Sequence, residues 1–333
     1  MRPSSITATV DFEQDGVQHG FLKLPHSHDL SAWGSIMIPV TVVKNGAGPT
    51  AILTGANHGD EYEGPIALFE LANRLTAEEV SGRVIIVPGM NYPAFRAGKR
   101  TSPIDSGNLN RLFPGKPDGT VTEKIADYFH RYILPMSNFV LDVHSGGRTL
   151  AFVPFAATHR LADEGRQAKA VAAMRAFNAP YGTILPGTDD FGMYDESVVE
   201  TGQVFVTSEL GGGGSASAYT AAIAKRGVRN FLKHAGILSG EPDLGPTVEL
   251  DMSDKHCFVI AETSGLLEMC VDLGETVRSG DLVARVHDVE RTGREPVGYS
   301  AKMDGLLAGR HFPGLVEMGD PIAVLAVPQN ASA

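Results

Sequence analysis

Three residues, His58, Glu61 and His144, have the side chains and spacing to hold a divalent metal ion. His58 and Glu61 stand three apart in Asn57-His58-Gly59-Asp60-Glu61, where a turn feeds a helical pattern, so both side chains can converge on one point. His144 closes the apolar run 139–143 and is the best third partner. Two imidazoles and one carboxylate, with water in the fourth position, form the ligand set of a catalytic zinc ion. Such an ion acidifies water and polarises a carbonyl, which is what amide hydrolysis needs. Taken alone, the His-x-x-Glu pair is weak evidence and reads first as a solvated helix start, its acid favoured by the helix dipole.

Hydrolysis also needs a general base, and Glu209 is the candidate. It ends the apolar run 203–208 and precedes Leu210 and four glycines, 211–214, whose lack of side chains lets backbone approach a ligand closely. The plain alternative is an acid in a flexible loop. Asp142 lies two residues before His144, on the same strand face. It is placed either to accept a hydrogen bond from a ligating histidine or to cap a loop. The loop 95–115 concentrates cations in an otherwise acidic chain. Arg111 beside Asn110 suits a carboxylate, offering a planar fork plus an amide. Arg96 or Arg100 is available to an oxyanion. A merely solvated basic loop is disfavoured because this one leaves a strand end of the proposed site.

The elements that must position these groups alternate. Apolar runs at 50–54, 83–88, 139–143 and 203–208 read as buried strands. Helical patterns follow at 62–75, with Ile66, Phe69, Leu71 and Leu75 as its apolar face, and at 121–134, 159–177 and 215–232. Short continuous apolar strands alternating with helices imply an α/β layer with a mixed, largely parallel sheet. Such sheets bind ligands beyond the carboxyl ends of their strands. His58, Asn91, His144 and Glu209 all fall at that edge. The stretch 90–116 reads as a long polar loop, a length at which loops are often functional.

At 333 residues the chain has room for two domains, each with a core. We expect a boundary near residue 244: a domain carrying the proposed hydrolytic site over 1–244 and an accessory domain over 245–330. The second part carries an internal repeat. Gly265-Leu266-Leu267, Gly274, Val277 and Gly280-Asp281 are echoed by Gly305-Leu306-Leu307, Gly314, Val316 and Gly319-Asp320. Two β-hammerheads closing into a small barrel are expected, since neither half buries its apolar face alone. The net charge of −11 argues against a nucleic-acid partner. No apolar run reaches membrane-spanning length, the N-terminus lacks a signal-like apolar segment, and only Cys257 and Cys270 occur. A cytoplasmic protein with a small-molecule substrate and no membrane partner is expected, most simply as a homo-oligomer.

Four motifs, in order, resemble those of the succinylglutamate desuccinylase/aspartoacylase family. They are Asn57-His58-Gly59-Asp60-Glu61, Asn108-Leu109-Asn110-Arg111-Leu112-Phe113-Pro114-Gly115, Asp142-Val143-His144-Ser145 and Ser208-Glu209-Leu210-Gly211. The resemblance spans roughly residues 35–240. It implies a zinc carboxypeptidase-like fold and an amidohydrolase that removes the acyl group of an N-acyl amino acid, with one zinc ion per subunit. By carry-over, His58, Glu61 and His144 hold zinc, Glu209 is the catalytic base, and Asn110 and Arg111 bind the substrate carboxylate. An upstream arginine assists the oxyanion; Arg100 matches best, and a spacing difference leaves Arg96 open.

Further stretches, 91–98, 121–129, 211–216 and the opening Met1-Arg2-Pro3-Ser4-Ser5, resemble the members of this family that act in ectoine degradation. That resemblance implies hydrolysis of N2-acetyl-2,4-diaminobutanoate to acetate and diaminobutanoate. The free ammonium of such a substrate would want a carboxylate, and Asp189, Asp190, Asp195 and Glu196 are the candidates. The same chemistry on an N-succinylglutamate or N-acetylaspartate type of substrate, or on a short peptide, is the nearest alternative. The C-terminal repeat resembles a biotinyl/lipoyl domain, which raises a second alternative, a non-enzymatic carrier or binding module. The carrier pattern fails where it matters: no lysine flanked by methionines lies between the repeats, at 288–297.

Overall fold

The computed structural model describes residues 2–186 and 192–329. Four parallel strands form its centre: Gly82–Val87, Thr50–Gly55, Phe139–His144 and Val204–Glu209, in that spatial order. The last two are buried in the middle of a 15-stranded mixed sheet. On one side the sheet continues antiparallel through Ser35–Asn45 and Gly16–Pro25. On the other it continues through Phe155–His159, antiparallel to Val204–Glu209, and then Tyr181–Leu185 and Val248–Asp251. Thr50–Gly55 and Gly82–Val87 are buried at every position, which is why they read as unbroken apolar runs rather than as alternating ones.

The two faces of this sheet carry separate cores. On one face Leu53, Val84 and Ile86 meet the helices Glu63–Arg74, Glu164–Phe177 and Ala218–His234. On the other, Ile52, Ile85 and Val140 meet the helix Val121–Tyr128 and the segment around Tyr194.

Several local expectations need correction. In the first helix Ile66 and Phe69 face outward, 40% and 38% exposed, while Ala67, Leu68 and Leu71 are buried. Leu71 and Leu75 belong to both possible stripes, and packing against the Ala218–His234 helix selects the one through Leu68. The helix expected from residue 159 begins at Glu164, with the Asp163 carboxylate accepting from the Arg166 amide. His159 instead ends the strand Phe155–His159, whose small residues Ala156 and Ala157 resemble a helical run but are buried in a sheet. The stretch 90–116 holds the helix Tyr92–Ala97, ended by Gly98 at φ 57°, and the 3₁₀ turn Leu109–Arg111.

The C-terminal repeat forms two equivalent pairings. Gly265–Met269 pairs with Leu282–His287, and Gly305–His311 pairs with Pro321–Gln329, both antiparallel. The halves interlock: Thr276–Val277 of the first joins Gly305–His311, and Leu315–Val316 of the second joins Gly265–Met269. One half lies in a separate four-stranded antiparallel sheet, whereas the other extends the main sheet through Val248–Asp251 and Leu150–Phe152.

Gly59 is the tightest point between the His58 turn and the rest of the fold. A Cβ there would lie 2.0 Å from the Ala94 carbonyl carbon, and both partners are backbone. Gly59→Ala is expected to destabilise the protein by about 1–3 kcal/mol, the usual cost of overpacking, measured as a lowered urea midpoint at unchanged m.

Candidate active site

Parallel register brings the key groups together. Thr54 and Asp142 are direct partners across the Thr50–Gly55 and Phe139–His144 strands, and His144 and Glu209 are partners across the next pair. The turn that follows Thr50–Gly55 starts at Ala56, whose φ of 51° is a strained conformation for a residue with a side chain. The Asn91 amide holds it by donating to the Ala56 carbonyl at 3.0 Å. This turn delivers Asn57, His58 and Glu61, all at least 97% buried.

Glu61 is the centre of the cluster. Its Oε1 lies 2.7 Å from His58 Nδ1, and its Oε2 lies 2.8 Å from His144 Nδ1. The potential ligand atoms of the three residues all lie within 4.8 Å of one another. The other ring nitrogen of His144, Nε2, is 2.7 Å from Asp142 Oδ2. Asp142 is itself fixed: Thr54 Oγ1 donates to its Oδ1 at 2.7 Å, and Asn57 Nδ2 to its Oδ2 at 2.9 Å. A carboxylate orienting a histidine from behind, and in turn held by hydrogen bonds, is the usual support of a metal ligand.

The electrostatics fit a cation. Burial works against the charge of Glu61, but the charges of His58 and His144 and their hydrogen bonds outweigh it and hold this carboxyl well below the usual range. Burial disfavours the charged form of His58 and lowers its pKa against the opposing pull of Glu61, which favours the uncharged ring that ligates a metal. Burial also opposes the charge of His144, yet the carboxylates of Asp142 and Glu61 prevail and raise its pKa. Glu209 is half-buried, but its Oε2 is sealed from solvent without a hydrogen-bond partner. Burial, then the charge of Glu61, pushes its carboxyl up to about 8. The set of two imidazole nitrogens and one carboxylate matches a catalytic zinc site.

These residues line a cavity of about 450 Å³. Arg100, Asn110 and Arg111 line it too. Arg100 Nη1 is 3.8 Å from Glu61 Oε1. Arg96 does not line the cavity and lies exposed on the Tyr92–Ala97 helix. Asn110 Oδ1 accepts from the Tyr194 amide at 2.9 Å, which leaves its Nδ2 hydrogens for another partner. Among the candidate ammonium acceptors, Asp195 lines the cavity. Glu196 instead accepts from the Gly192 amide at 3.0 Å, while Asp189 and Asp190 lie outside the described residues.

Sequence reasoning passed over His159, which lines the cavity with Nε2 2.5 Å from Asp195 Oδ2. Its strand runs antiparallel to Val204–Glu209, so Phe155 rather than His159 stands level with Glu209, and His159 stacks against Phe205 deeper along the sheet. Sequence reasoning also missed the apolar walls. Phe152 and Phe155 come from neighbouring strands, and Met252, Phe258, Pro321 and Val324 come from the C-terminal part. No local signal marks the latter four, because only the chain's return to the main sheet brings them there.

Comparison with known proteins identifies the family. Residues 47–235 match the succinylglutamate desuccinylase/aspartoacylase catalytic domain. The chain is 58% identical over 328 residues to the N-alpha-acetyl-L-2,4-diaminobutyric acid deacetylase of Halomonas elongata, covering 98% of this chain and 96% of that one. The product-bound ectoine utilization protein EutE (DoeB) of Ruegeria pomeroyi superposes with a TM-score of 0.96 at 63% identity, over 98% of this chain and 100% of that one. A succinylglutamate desuccinylase from Silicibacter sp. gives 0.97 at 60% identity, over 99% and 100%. With the His58, Glu61 and His144 cluster at the carboxyl edge of its central strands, this chain belongs to the succinylglutamate desuccinylase/aspartoacylase family of hydrolases.

Proposed function

We propose that this protein hydrolyses the amide of N2-acetyl-L-2,4-diaminobutanoate, releasing acetate and L-2,4-diaminobutanoate, in ectoine degradation. The observation that carries this reading is the 58% identity to the Halomonas elongata deacetylase across nearly the whole of both chains. The cavity chemistry supports it: a hydrolytic cluster, cations for a carboxylate, and an acid for an ammonium.

His58, Glu61 and His144 would hold one zinc ion per subunit, and that ion would supply an electrophile for the amide carbonyl and an acidified water. Glu209 moves the proton. It takes one from water as the water oxygen bonds to the acetyl carbon, and returns it to the nitrogen as the C–N bond breaks. A carboxyl pushed upward is suited to that exchange, and a cation beside it would draw its pKa down from the value that burial and Glu61 set. Arg100 stabilises the oxyanion. Arg111 and the free Nδ2 of Asn110 bind the substrate carboxylate.

The C-terminal region, 245–330, is read as an accessory domain resembling a biotinyl/lipoyl barrel and packed to wall the cavity. The interlocked strand pairs support this, as does a core drawn wholly from residues 259–325. A cytoplasmic location fits two cysteines that form no disulfide. A homo-oligomer is in keeping with the exposed Ile66 and Phe69.

A second reading, the same chemistry on an N-succinyl acidic amino acid, draws on the similarity to the Silicibacter protein. Side-by-side assays of N2-acetyl-2,4-diaminobutanoate and N-succinylglutamate decide between them. We expect faster turnover of the former, loss on chelation and recovery with zinc; faster turnover of the latter would refute the proposal. In Glu209→Ala, kcat is expected to fall about 10²- to 10⁴-fold with zinc content unchanged, compared by steady-state kinetics and metal analysis. Asp142→Asn is expected to weaken zinc binding about 10- to 100-fold in competition with a chromophoric chelator, because it loosens the support behind His144.

A further inference from the structure

Four carboxylates line the cavity among the described residues: Glu61, Asp142, Glu209 and Asp195. Three have work already. Glu61 faces two histidines, Asp142 is held by Thr54, Asn57 and His144, and Glu209 stands beside His144 in register. Asp195 has no part in that cluster. It is 93% buried, on the first turn of the helix Tyr194–Thr201. Its Oδ1 accepts from the Glu196 amide at 3.0 Å, and its Oδ2 meets His159 Nε2.

We propose that Asp195 is the specificity-determining residue for the substrate side chain, receiving its ammonium group while His159 holds the carboxylate in place. The inference rests on the diamino-acid reading above and names the group that selects for it.

The placement keeps the two proposed receptors close together. The residue before Asp195, Tyr194, donates its amide to Asn110 Oδ1 at 2.9 Å. Asn110 is also the neighbour of Arg111, so the receptors for the two ends of the substrate are tied together by one hydrogen bond. A diamino acid places its ammonium only two methylenes beyond the carbon that bears the carboxylate, so both ends can be engaged at once. The surroundings raise the value of the contact. Phe155, Phe205 and Met252 line the same cavity, and a charge pair flanked by apolar walls is less screened than one in water. An acidic side chain would be repelled by Asp195, and an alkyl one would leave the carboxylate without a cationic partner from the substrate.

A carboxylate oxygen accepts more than one hydrogen bond, so the ammonium adds to Asp195 without displacing the Glu196 amide. His159 acts through Asp195 rather than on the substrate: its Nδ1 lies 3.4 Å from the Pro186 carbonyl oxygen, which anchors the far side of the ring.

The test compares kcat and KM of the zinc-loaded wild-type protein and Asp195→Asn on N2-acetyl-2,4-diaminobutanoate and on N-acetylnorvaline, which has a methyl in place of the ammonium. We expect kcat/KM for the cationic substrate to fall about 10- to 100-fold in the variant, mainly through KM, the loss for one charged hydrogen bond. Turnover of N-acetylnorvaline should be unchanged or improved. The ratio between the two substrates is independent of how much of the variant folds. An equal loss on both substrates, or no change on either, overturns the role of Asp195 while leaving the diamino-acid reading intact. A wild-type protein that does not favour the cationic substrate overturns that reading and this inference with it.

Discussion

The structure depends on one shared carboxylate. Glu61 sits between His58 and His144, one oxygen to each, at 2.7 and 2.8 Å, with all three side chains less than a tenth exposed. Such a group cannot be left unbalanced, since removing a carboxylate from water costs several kcal/mol even after relaxation. Everything packed around it reduces that cost or fixes the geometry. The strained turn at Ala56 aims it, and the Ser145 amide donates to its Oε2 at 3.2 Å. Asp142 steadies His144 from the other side.

The same balance sets the behaviour of Glu209. Two carboxylates, Glu61 and Asp142, face the single imidazole of His144, so the cluster is electronegative before any cation is added. Glu209, the next strand's partner of His144, feels that excess along with its own burial and is pushed upward. A group that must both accept and return a proton gains from standing near its point of titration. Ligand geometry and base strength thus have one physical origin, the close register of two parallel strands.

The cavity around this centre is assembled from distant chain. The loop 98–111 brings the cations, Phe152, Phe155 and Phe205 bring aromatic walls from the strands Leu150–Phe152, Phe155–His159 and Val204–Glu209, and the C-terminal part brings Met252, Phe258, Pro321 and Val324. The C-terminal strands join the main sheet through Val248–Asp251, which pairs with both Tyr181–Leu185 and Pro321–Gln329, and Leu150–Phe152 is added to Gly305–His311. Continuity of the sheet gives the C-terminal part a fixed place at the site.

What the sequence by itself determined is the chemistry and the edge at which it occurs. The unbroken apolar runs at 50–54, 83–88, 139–143 and 203–208 are buried parallel strands because only strands covered on both faces read that way, and His58, His144 and Glu209 follow from their ends. Local pattern was weaker where two readings shared residues. The stripe of the first helix turned on whether Leu71 and Leu75 pair with Leu68 or with Ile66, and an alanine-rich strand passed for helix. Only the tertiary structure decided which of the arginines reaches the cavity, that Asp195 and His159 face each other there, and which apolar residues from beyond position 250 close it. Those facts depend on contacts between segments tens to hundreds of residues apart, and periodicity or spacing within one segment carries no record of them.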